Sequence, residues 1–248
     1  MSISVCMASY NGQDYIIRQL ISILEQLDDD DEVIIVDDCS KDGTVEVVKQ
    51  LNDSRIKIFI NDKNRGDVFS FNRSLSLAKN EVIFLSDQDD IWTPGRVSIM
   101  QKSLIDSNAN LVTTNFDWIN SNEAPIDVDY DGVKSSYSNK YFRNILDIFL
   151  GKTSYFGCAM VLRRDFLSVV IPIPAYVESH DLWIALASNI MKSNVHLDEH
   201  TFLKRKHGSN ATSTISSRPF YKKLWSRVVF AISVLELFKR ILFGHRVK

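Results

Sequence analysis

Residues 32–51 read EVIIVDDCSKDGTVEVVKQL, in which an apolar run, a polar loop and a helical pattern follow one another. Glu32–Val36 is rich in β-branched residues and almost wholly apolar, as expected of a strand that helices cover on both sides. Ser, Asp and Thr in the loop favour a turn and a helix cap, and Thr44–Leu51 predicts the helix itself. The stretch therefore predicts one strand–loop–helix unit of a parallel sheet.

The same unit recurs on both sides of this stretch. Strands are predicted at Ile3–Met7, Ile56–Ile60 and Val82–Leu85, and helices at Asp14–Leu27 and Val68–Ala78. The first of these helices carries an apolar stripe suited to packing on a sheet, formed by Ile17, Leu20, Ile21, Leu24 and Leu27. The alternation predicts an α/β fold with a mostly parallel central sheet flanked by helices.

The second half of the chain is less regular. Asn115–Asn139 is rich in Asn, Asp and Ser and predicts an irregular excursion, whereas Gly157–Leu162 predicts a returning strand. His180–Met191 predicts a helix whose buried positions are Leu182, Ile184, Ala185 and Leu186. Because no repeat or strong linker divides the chain, we expect one domain over residues 1–217 and a C-terminal helical tail over residues 218–248.

The composition is that of a folded globular protein, with 45% hydrophobic and 24% charged residues among 248. Cys6, Cys39 and Cys158 lie far apart and match no metal-ligand spacing, so they predict neither a disulfide framework nor a zinc site and fit a reducing compartment. No signal peptide is evident, and the apolar run Val228–Leu235 is much shorter than the roughly 20 residues that cross a bilayer. We expect a cytoplasmic protein.

Polar clusters follow each of the four predicted strands, at Ala8–Gly12, Asp37–Gly43, Asn61–Gly66 and Ser86–Asp90. Ligands of open α/β sheets bind beyond the carboxyl ends of the strands, so the four loops should converge on one binding edge. Neither a GxGxxG after the first strand nor a GxxxxGK[ST] occurs, which removes the signatures of dinucleotide binding and of phosphate-loop chemistry.

The last of these loops contains Asp87-Gln88-Asp89-Asp90. Alternate carboxylates in an extended turn can converge on a hard cation, and Mg²⁺ or Mn²⁺ prefers oxygen ligands that it shares with substrate phosphates. A solvated acidic turn is the alternative for such a motif standing alone, but its place at a strand end beside three polar loops favours the metal site. Asp37 and Asp38 also end a strand, where one carboxylate can accept hydrogen bonds from a base or ribose and the other can serve as a cap only.

Short motifs in a fixed order carry a resemblance to a known family. They are Ala8–Gly12, Val36–Thr44, Asn64–Gly66 with Asn72-Arg73, Phe84–Trp92, Gly157–Met160, His180–Trp183 and Lys206–Asn210. On these motifs the chain resembles an inverting family 2 glycosyltransferase with a GT-A nucleotide-diphospho-sugar transferase fold, over roughly residues 3–211. The form of Ser86–Trp92 and His180–Trp183 is similar to rhamnosyltransferase-like members that build bacterial surface polysaccharides, such as capsule or O-antigen.

The resemblance implies a role for each matched residue. Donor binding would fall to Ala8, Ser9, Tyr10, Asp37, Asp38, Asn64, Gly66, Arg73, Asp87 and Gln88. Asp87 and Asp89 would also hold Mg²⁺ or Mn²⁺, with His207 as a third candidate ligand, and Asp181 would be the catalytic base. The alternatives are a helix cap for Asp181, a structural or surface role for His207 and a solvated helix face for Arg73.

The implied reaction moves a single sugar from a nucleotide-diphosphate sugar, such as dTDP-rhamnose or a UDP-hexose, to a hydroxyl of a lipid-linked glycan acceptor. The sequence has no QxxRW segment and no membrane span, which favours a non-processive transfer. Two other classes stay open: a noncatalytic nucleotide-sugar or glycan-binding scaffold, and a phosphatase-like hydrolase that uses Asp87 and Asp89 as nucleophile and acid. Such hydrolases usually have their acidic turn after the first core strand, whereas several strand–helix units precede this one.

The C-terminal tail is basic and amphipathic. Residues 218–248 carry eight Lys or Arg and one acid, whereas the rest of the chain carries 21 basic and 30 acidic side chains. Apolar residues recur in the tail at three- and four-residue steps, at Tyr221, Leu224, Trp225, Val228, Ile232, Leu235, Phe238 and Leu242. The pattern predicts a helix that binds the inner face of the cell membrane peripherally. The alternatives are docking on its own domain or on a second subunit in a homodimer; nucleic acid is not expected, because no recognition motif accompanies the charge.

Overall fold

The computed structural model describes residues 1–152, 155–207 and 220–244. The strands in these ranges are β1 Ile3–Ser9, β2 Glu32–Asp37, β3 Ile56–Ile60, β4 Val82–Ser86, β5 Ile91–Trp92, β6 Leu111–Asn120, β7 Met160–Arg163 and β8 Asn194–Lys206. The α-helices are α1 Ile16–Leu24, α2 Thr44–Gln50, α3 Asp67–Leu77, α4 Arg96–Ser107, α5 Tyr141–Leu150, α6 Leu167–Val170, α7 His180–Ile190 and α8 Phe220–Phe243. Short 3₁₀ turns occur at Ser135–Tyr137, Gly157–Ala159 and Arg164–Phe166.

The strands form one sheet in the order β3-β2-β1-β4-β7-β6-β8-β5. The strands β3, β2, β1 and β4 are mutually parallel. Beyond them the sheet is mixed: β7 runs antiparallel to β4 and β6, and β8 is parallel to β6 but antiparallel to β5. The predicted α/β class with a central sheet flanked by helices is confirmed.

The register of the parallel half brings the polar loops to one edge. Ser9 pairs with Asp37, Asp37 with Ile60, and Met7 with Ser86. Because the carboxyl ends of these strands are level, the polar segments that follow them converge, as the sequence predicts.

Helices cover both faces of this half, which explains the apolar character of β2. Val33 belongs to the core cluster that contains Leu20 of α1, whereas its neighbour Ile34 belongs to the opposite cluster with Phe71 of α3 and Trp183 of α7. Every residue of β2 is buried. Successive side chains of the strand thus enter two different cores.

The buried stripe of α1 differs from the predicted one. Ile21 is 37% exposed, so its inclusion was wrong, and Ile16 and Ile23 are fully buried. Gln19 is also fully buried, because its Nε2 donates a hydrogen bond to the Ser86 hydroxyl at 2.7 Å. The buried face of the helix thus includes a polar contact with the end of β4.

The prediction that Asn115–Asn139 is irregular is wrong for residues 115–120, which continue β6. β6 pairs with β8 through register shifts on both sides of Asn115. The Asn115 side chain is accommodated within the sheet because its Nδ2 donates a hydrogen bond to the Val133 carbonyl at 3.0 Å. A polar composition here conceals a strand whose partner lies far along the sequence.

The predicted strand at Gly157–Leu162 begins late, since its first three residues form the 3₁₀ turn and β7 starts at Met160. Gly157 lies against the ring of His180, whose Nε2 would be 2.5 Å from a Cβ at residue 157. The helix α7 follows its prediction closely, except that Leu182 is only half-buried and Trp183 is buried.

The tail helix α8 docks on the domain by its inner face. Leu237 is fully buried, and the Arg240 guanidinium donates to the carbonyls of Val169 at 2.9 Å and Pro172 at 2.8 Å. The predicted boundary between residues 217 and 218 lies outside the described residues. None of the helices in the described ranges combines the length and the apolar character needed to span a bilayer.

Candidate active site

Asp37 ties together the loops that follow β1 and β2. Its buried carboxylate accepts hydrogen bonds from the Ser9 hydroxyl at 3.0 Å and from the Ser40 N–H at 2.9 Å. Asn11 extends the connection, because its N–H donates to Ser40 Oγ at 2.9 Å. Ser9 and Asp37, both predicted to bind the sugar donor, therefore hold the two loops together.

Asp38 organises the loop after β3. Its carboxylate accepts from Asn61 Nδ2 at 2.7 Å and from the Gly66 N–H at 2.7 Å. Gly66 has φ +87°, a conformation that favours glycine. Arg73 joins the group by donating to Asn61 Oδ1 at 2.6 Å, and Asn64 is exposed in the same loop. The structure thus brings the predicted residues of this loop to one end of the sheet.

Gln88 connects the loop after β4 with the loop after β1. Its Oε1 accepts from the Tyr10 N–H, and its Nε2 donates to the Tyr10 carbonyl, both at 3.0 Å. Gly12 leaves the necessary room, since a Cβ there would lie 2.1 Å from Gln88 Oε1. Gln88 therefore positions the exposed Tyr10, which follows the half-buried Ala8 at the end of β1.

The acidic turn contains a buried lysine that sequence reasoning missed. The Nζ of Lys204 on β8 lies 3.0 Å from Asp87 Oδ2, 3.6 Å from Asp90 Oδ2 and 3.3 Å from Cys158 Sγ. The ligand atoms of Asp87, Asp90 and Cys158 lie within 4.8 Å of one another, a spacing at which they could hold a metal ion. In this structure an ammonium group lies among them.

Asp89, the second carboxylate of the predicted pair, contacts the predicted third ligand. Its Oδ2 lies 2.8 Å from His207 Nε2. The His207 ring also stacks on Tyr15, with 4.7 Å between ring centroids. The rest of that motif, residues 208–210, lies outside the described residues.

Burial and Lys204 set the protonation of the turn. Burial raises the pKa of Asp90 to about 7, although the Lys204 ammonium opposes the rise. Burial would also raise the pKa of Asp87, but there Lys204 prevails and holds the pKa below its usual range. Burial alone would lower the pKa of Lys204, yet Asp90 and the other nearby acidic groups hold it well above its ordinary value. The turn therefore keeps an ionised Asp87 beside a charged Lys204.

Asp181 lies in the first turn of α7, which Ser179 caps. Its Oδ1 accepts from the Leu182 N–H at 2.7 Å and from the Ser179 hydroxyl, so the helix-cap alternative describes part of its contacts. Burial raises the pKa of Asp181; the charge of His180 opposes this rise, and the negative charge of Asp87 adds to it. Asp181 is thus close enough to Asp87 to sense its charge.

The Gly157–Ala159 turn connects the two acidic groups. The Cys158 thiol donates to Asp87 and lowers the pKa of that carboxyl. The Gly157 N–H lowers the pKa of Asp181 in the same way. The ligand atoms of Asp87 and Cys158 lie within 4.8 Å of one another, and Gly157 lies against the ring of His180, which precedes Asp181, so both carboxylates lie near this turn.

Arg205 is a second site residue that was missed. Its Nε donates to the Asp89 carbonyl at 2.9 Å, and its N–H donates to Asp90 Oδ1 at 3.0 Å. The available signal was the run of three basic residues, Lys204 to Lys206, directly before His207. Which carboxylates they meet depends on the pairing of β8, which the sequence pattern does not predict.

A half-parallel sheet with an acidic turn after its fourth strand has the architecture of a GT-A sugar-nucleotide transferase. The chain belongs to glycosyl transferase family 2, whose sequence model matches residues 4–171. The family indicated by the ordered motifs is confirmed.

Two relatives cover most of the chain. It is 27% identical over 232 residues to the UDP-Glc:alpha-D-GlcNAc-diphosphoundecaprenol beta-1,3-glucosyltransferase WfgD of Escherichia coli, covering 90% of this chain and 83% of WfgD. It is 26% identical over 234 residues to the dTDP-rhamnosyl transferase RfbG of Shigella flexneri, covering 88% of this chain and 78% of RfbG.

Solved structures agree in fold. Residues 1–349 of TarS from S. aureus, in complex with UDP-GlcNAc, match with a TM-score of 0.67 at 19% identity, covering 97% of this chain and 72% of that one. The mannosyltransferase PcManGT from Pyrobaculum calidifontis, in complex with GDP-Man and Mn²⁺, matches with a TM-score of 0.59 at 18% identity, covering 97% of this chain and 64% of that one. At these identities the likeness shows the fold alone.

Proposed function

We propose that the protein is a metal-dependent, inverting and non-processive transferase that moves one sugar from a nucleotide-diphosphate sugar to a hydroxyl of a lipid-linked bacterial glycan. The observation that carries the proposal is the position of the Gly157–Ala159 turn, where Cys158 Sγ lies within 4.8 Å of an Asp87 oxygen and Gly157 lies against His180, the residue before Asp181. An inverting transfer needs a base for the acceptor and a separate group that stabilises the leaving diphosphate. The name of the Escherichia coli relative includes UDP-Glc and a diphosphoundecaprenol-linked sugar, which supports these donor and acceptor classes.

Asp89 and His207 offer the ligands that we assign to the metal. Their Oδ2 and Nε2 atoms, 2.8 Å apart, are oxygen and nitrogen donors that suit Mn²⁺, whereas Asp87, the third ligand expected from the sequence, is paired with Lys204 at 3.0 Å. These residues fit a divalent cation, which when bound would neutralise charge on the donor diphosphate. The presence of Mn²⁺ beside GDP-Man in PcManGT supports Mn²⁺ or Mg²⁺.

Asp181 is the group that we assign to the acceptor hydroxyl. Its Oδ1 is engaged by the Leu182 N–H at 2.7 Å, so we assign its Oδ2 to accept the hydroxyl proton. Burial raises the pKa of Asp181, which makes the carboxylate a stronger base than an exposed aspartate. The positive N-terminal end of α7 and the charge of His180 favour the ionised form that the reaction needs.

Two substitutions separate binding from transfer. Asp181→Asn should keep the donor affinity measured by calorimetry but reduce the transfer rate by about 10²- to 10⁴-fold, the usual contribution of a general base. Asp89→Ala should weaken metal-dependent donor binding itself. Asp165→Asn replaces an exposed aspartate at another helical turn, and as the matched control it should behave like the wild type.

The outcomes also separate the competing functions. Transfer at the wild-type rate by Asp181→Asn would show that another residue is the base. A wild-type protein that binds nucleotide sugars but transfers none would favour the noncatalytic scaffold. Release of phosphate from simple esters without an acceptor would favour the hydrolase.

We propose that α8 brings the enzyme to the inner face of the cell membrane. Its outer face exposes a row of apolar side chains at Leu224, Trp225, Val228, Ile232, Leu235, Phe238 and Leu242. The tail has an excess of positive charge, which favours an anionic lipid surface over a second, equally positive copy of the same helix. Membrane docking would bring the cleft close to a lipid-linked acceptor.

A further inference from the structure

Lys204 is buried inside the acidic group of the proposed active site, with 8% of its surface exposed. Its Nζ is within 3.6 Å of Asp87, Asp90 and Cys158, and it stands 5.4 Å from the centroid of the Phe156 ring. Asp87 and Cys158 accept hydrogen bonds from the ammonium group, and Asp90 Oδ2 lies at ion-pair distance from it. Lys204 is therefore directed at the protein and is not placed to bind the donor.

The atoms around Lys204 are those that a divalent cation could use. Asp87, Asp90 and Cys158 offer ligand atoms within 4.8 Å of one another. Within the described ranges, Asp90 Oδ2 is buried and accepts no hydrogen bond. Carboxylates at such spacing repel each other unless a cation lies between them, and Lys204 supplies that cation.

The pairing of β8 fixes Lys204 in this position. Lys204 pairs with Trp118 on β6, and the next residue, Arg205, donates its N–H to Asp90 Oδ1 at 3.0 Å. The strand is therefore fastened both to the sheet and to the acidic turn. The backbone position of Lys204 is therefore fixed by the sheet, and its ammonium group reaches the acidic turn from a paired strand.

We infer that Lys204 is a positioning residue that acts as a built-in cation. Its ammonium group excludes a divalent metal from the group formed by Asp87, Asp90 and Cys158. Asp89 and His207 are then left as the metal ligands. The inference rests on the proposed metal-dependent function. It implies that the acidic turn keeps its shape without metal. It also implies that the donor-free protein binds metal more weakly than its number of carboxylates would suggest.

Mn²⁺ binding to the donor-free protein tests this role. Lys204→Met removes the charge while keeping a long side chain, and it should bind Mn²⁺ about tenfold or more tightly than the wild type, because a positive charge next to the carboxylates is lost. Its melting temperature should fall without metal and recover in Mn²⁺ more than that of the wild type. Lys204→Arg keeps the charge and should have an Mn²⁺ affinity close to that of the wild type.

Two further comparisons control the experiment. Lys57→Met removes the ion pair in which Lys57 Nζ lies 2.6 Å from Glu32 Oε2, at the amino end of β2. This variant should have the Mn²⁺ affinity of the wild type. If Lys204→Met does not fold, the double variant Lys204→Met/Asp90→Asn is used in its place, because it has one buried carboxylate fewer than Lys204→Met. The double variant is then compared with Asp90→Asn. The double variant should then bind Mn²⁺ more tightly than Asp90→Asn alone.

The inference would be overturned if Lys204→Met bound Mn²⁺ with the same affinity as the wild type, or if the double variant bound it with the same affinity as Asp90→Asn. Lys204 would then form a purely structural ion pair. The measurement uses neither donor nor acceptor. A wild-type protein that transfers no sugar would therefore count against the proposed function and not against this role of Lys204.

Discussion

Gln88 is a single side chain on which the geometry of two loops depends. Its amide exchanges two hydrogen bonds with the Tyr10 backbone, both at 3.0 Å. Gln88→Glu would place an oxygen opposite the Tyr10 carbonyl in place of an N–H donor. We expect the free energy of unfolding to fall by about 1 kcal/mol and donor affinity to fall several-fold, measured by urea unfolding and calorimetry.

Gln101→Glu is the matched control for this substitution. Gln101 Nε2 donates to the Met1 carbonyl at 2.8 Å on the surface, so the same kind of hydrogen bond is lost far from the loops. Donor affinity should be unchanged in this control. If Gln88→Glu lost stability but kept its donor affinity, the loop after β1 would have no part in donor binding.

Asp87, Asp89 and Asp181 could be placed from the sequence because each lies at the end of a strand or the start of a helix within a motif. The local pattern predicts where such a side chain emerges from the fold. Lys204 could not be placed, because its contact with Asp87 depends on β8 returning to the sheet beside β6 and β5. Whether an aspartate faces a ligand or braces a loop, as Asp37 does, is likewise decided by tertiary contacts.

At the scale of elements, β6 and β8 are the strands that sequence patterns conceal. β8 mixes charged and apolar residues because Lys204 and Arg205, although paired with β6, contact the acidic turn, so no simple alternation appears. In its partner β6, Asn115 donates to the Val133 carbonyl and Asp117 lies 2.7 Å from His200 Nδ1, so polar residues interrupt the pattern there too. β1, β2 and β4 were predictable because they are short, mostly buried apolar runs, and β1, β2 and β3 because each is followed by a helix.

His196 makes β8 sensitive to acid. Its Nε2 lies 2.8 Å from the Tyr155 hydroxyl and its Nδ1 lies 3.2 Å from the Lys134 carbonyl; burial lowers its pKa to about 4. The unfolded chain takes up a proton near the ordinary pKa of 6.5, whereas the folded chain does not, so this contribution is complete above that pH and declines as the pH falls toward 4. We expect His196 to account for a loss of about 2 kcal/mol in unfolding free energy between neutral pH and about pH 5.

Urea unfolding at the two pH values measures this loss. His196→Asn should be less stable than the wild type at neutral pH but should lose less on acidification. His200→Asn replaces an exposed histidine of the same strand and should keep the pH dependence of the wild type. An unchanged acid loss in His196→Asn would show that other groups cause it.

At the scale of the whole molecule, charge is divided unequally between an acidic body and a basic tail. The full-length protein should bind vesicles of phosphatidylglycerol, bind phosphatidylcholine vesicles weakly, and dissociate from the former in high salt. Leu235→Glu, at a position that is 71% exposed, should reduce vesicle binding by about tenfold or more without lowering the melting temperature.

Ile105→Glu is the control for vesicle binding, because Ile105 is also exposed but lies on α4, which packs on the opposite face of the sheet from α8. It should bind vesicles like the wild type. If Leu235→Glu instead halved the mass measured by sedimentation and left vesicle binding unchanged, the outer face of α8 would be a dimer interface.

Gly157 and Cys158 are joined by one peptide bond, whose flanking Cα atoms lie about 3.8 Å apart. Gly157 lies against the ring of His180, which precedes Asp181, and Cys158 Sγ lies within 4.8 Å of an Asp87 oxygen. The separation of the two carboxylates therefore depends on how closely α7, which carries Asp181, packs against this turn. A side chain at residue 157, whose Cβ would lie 2.5 Å from His180 Nε2, would push the start of α7 away from the turn and widen that separation.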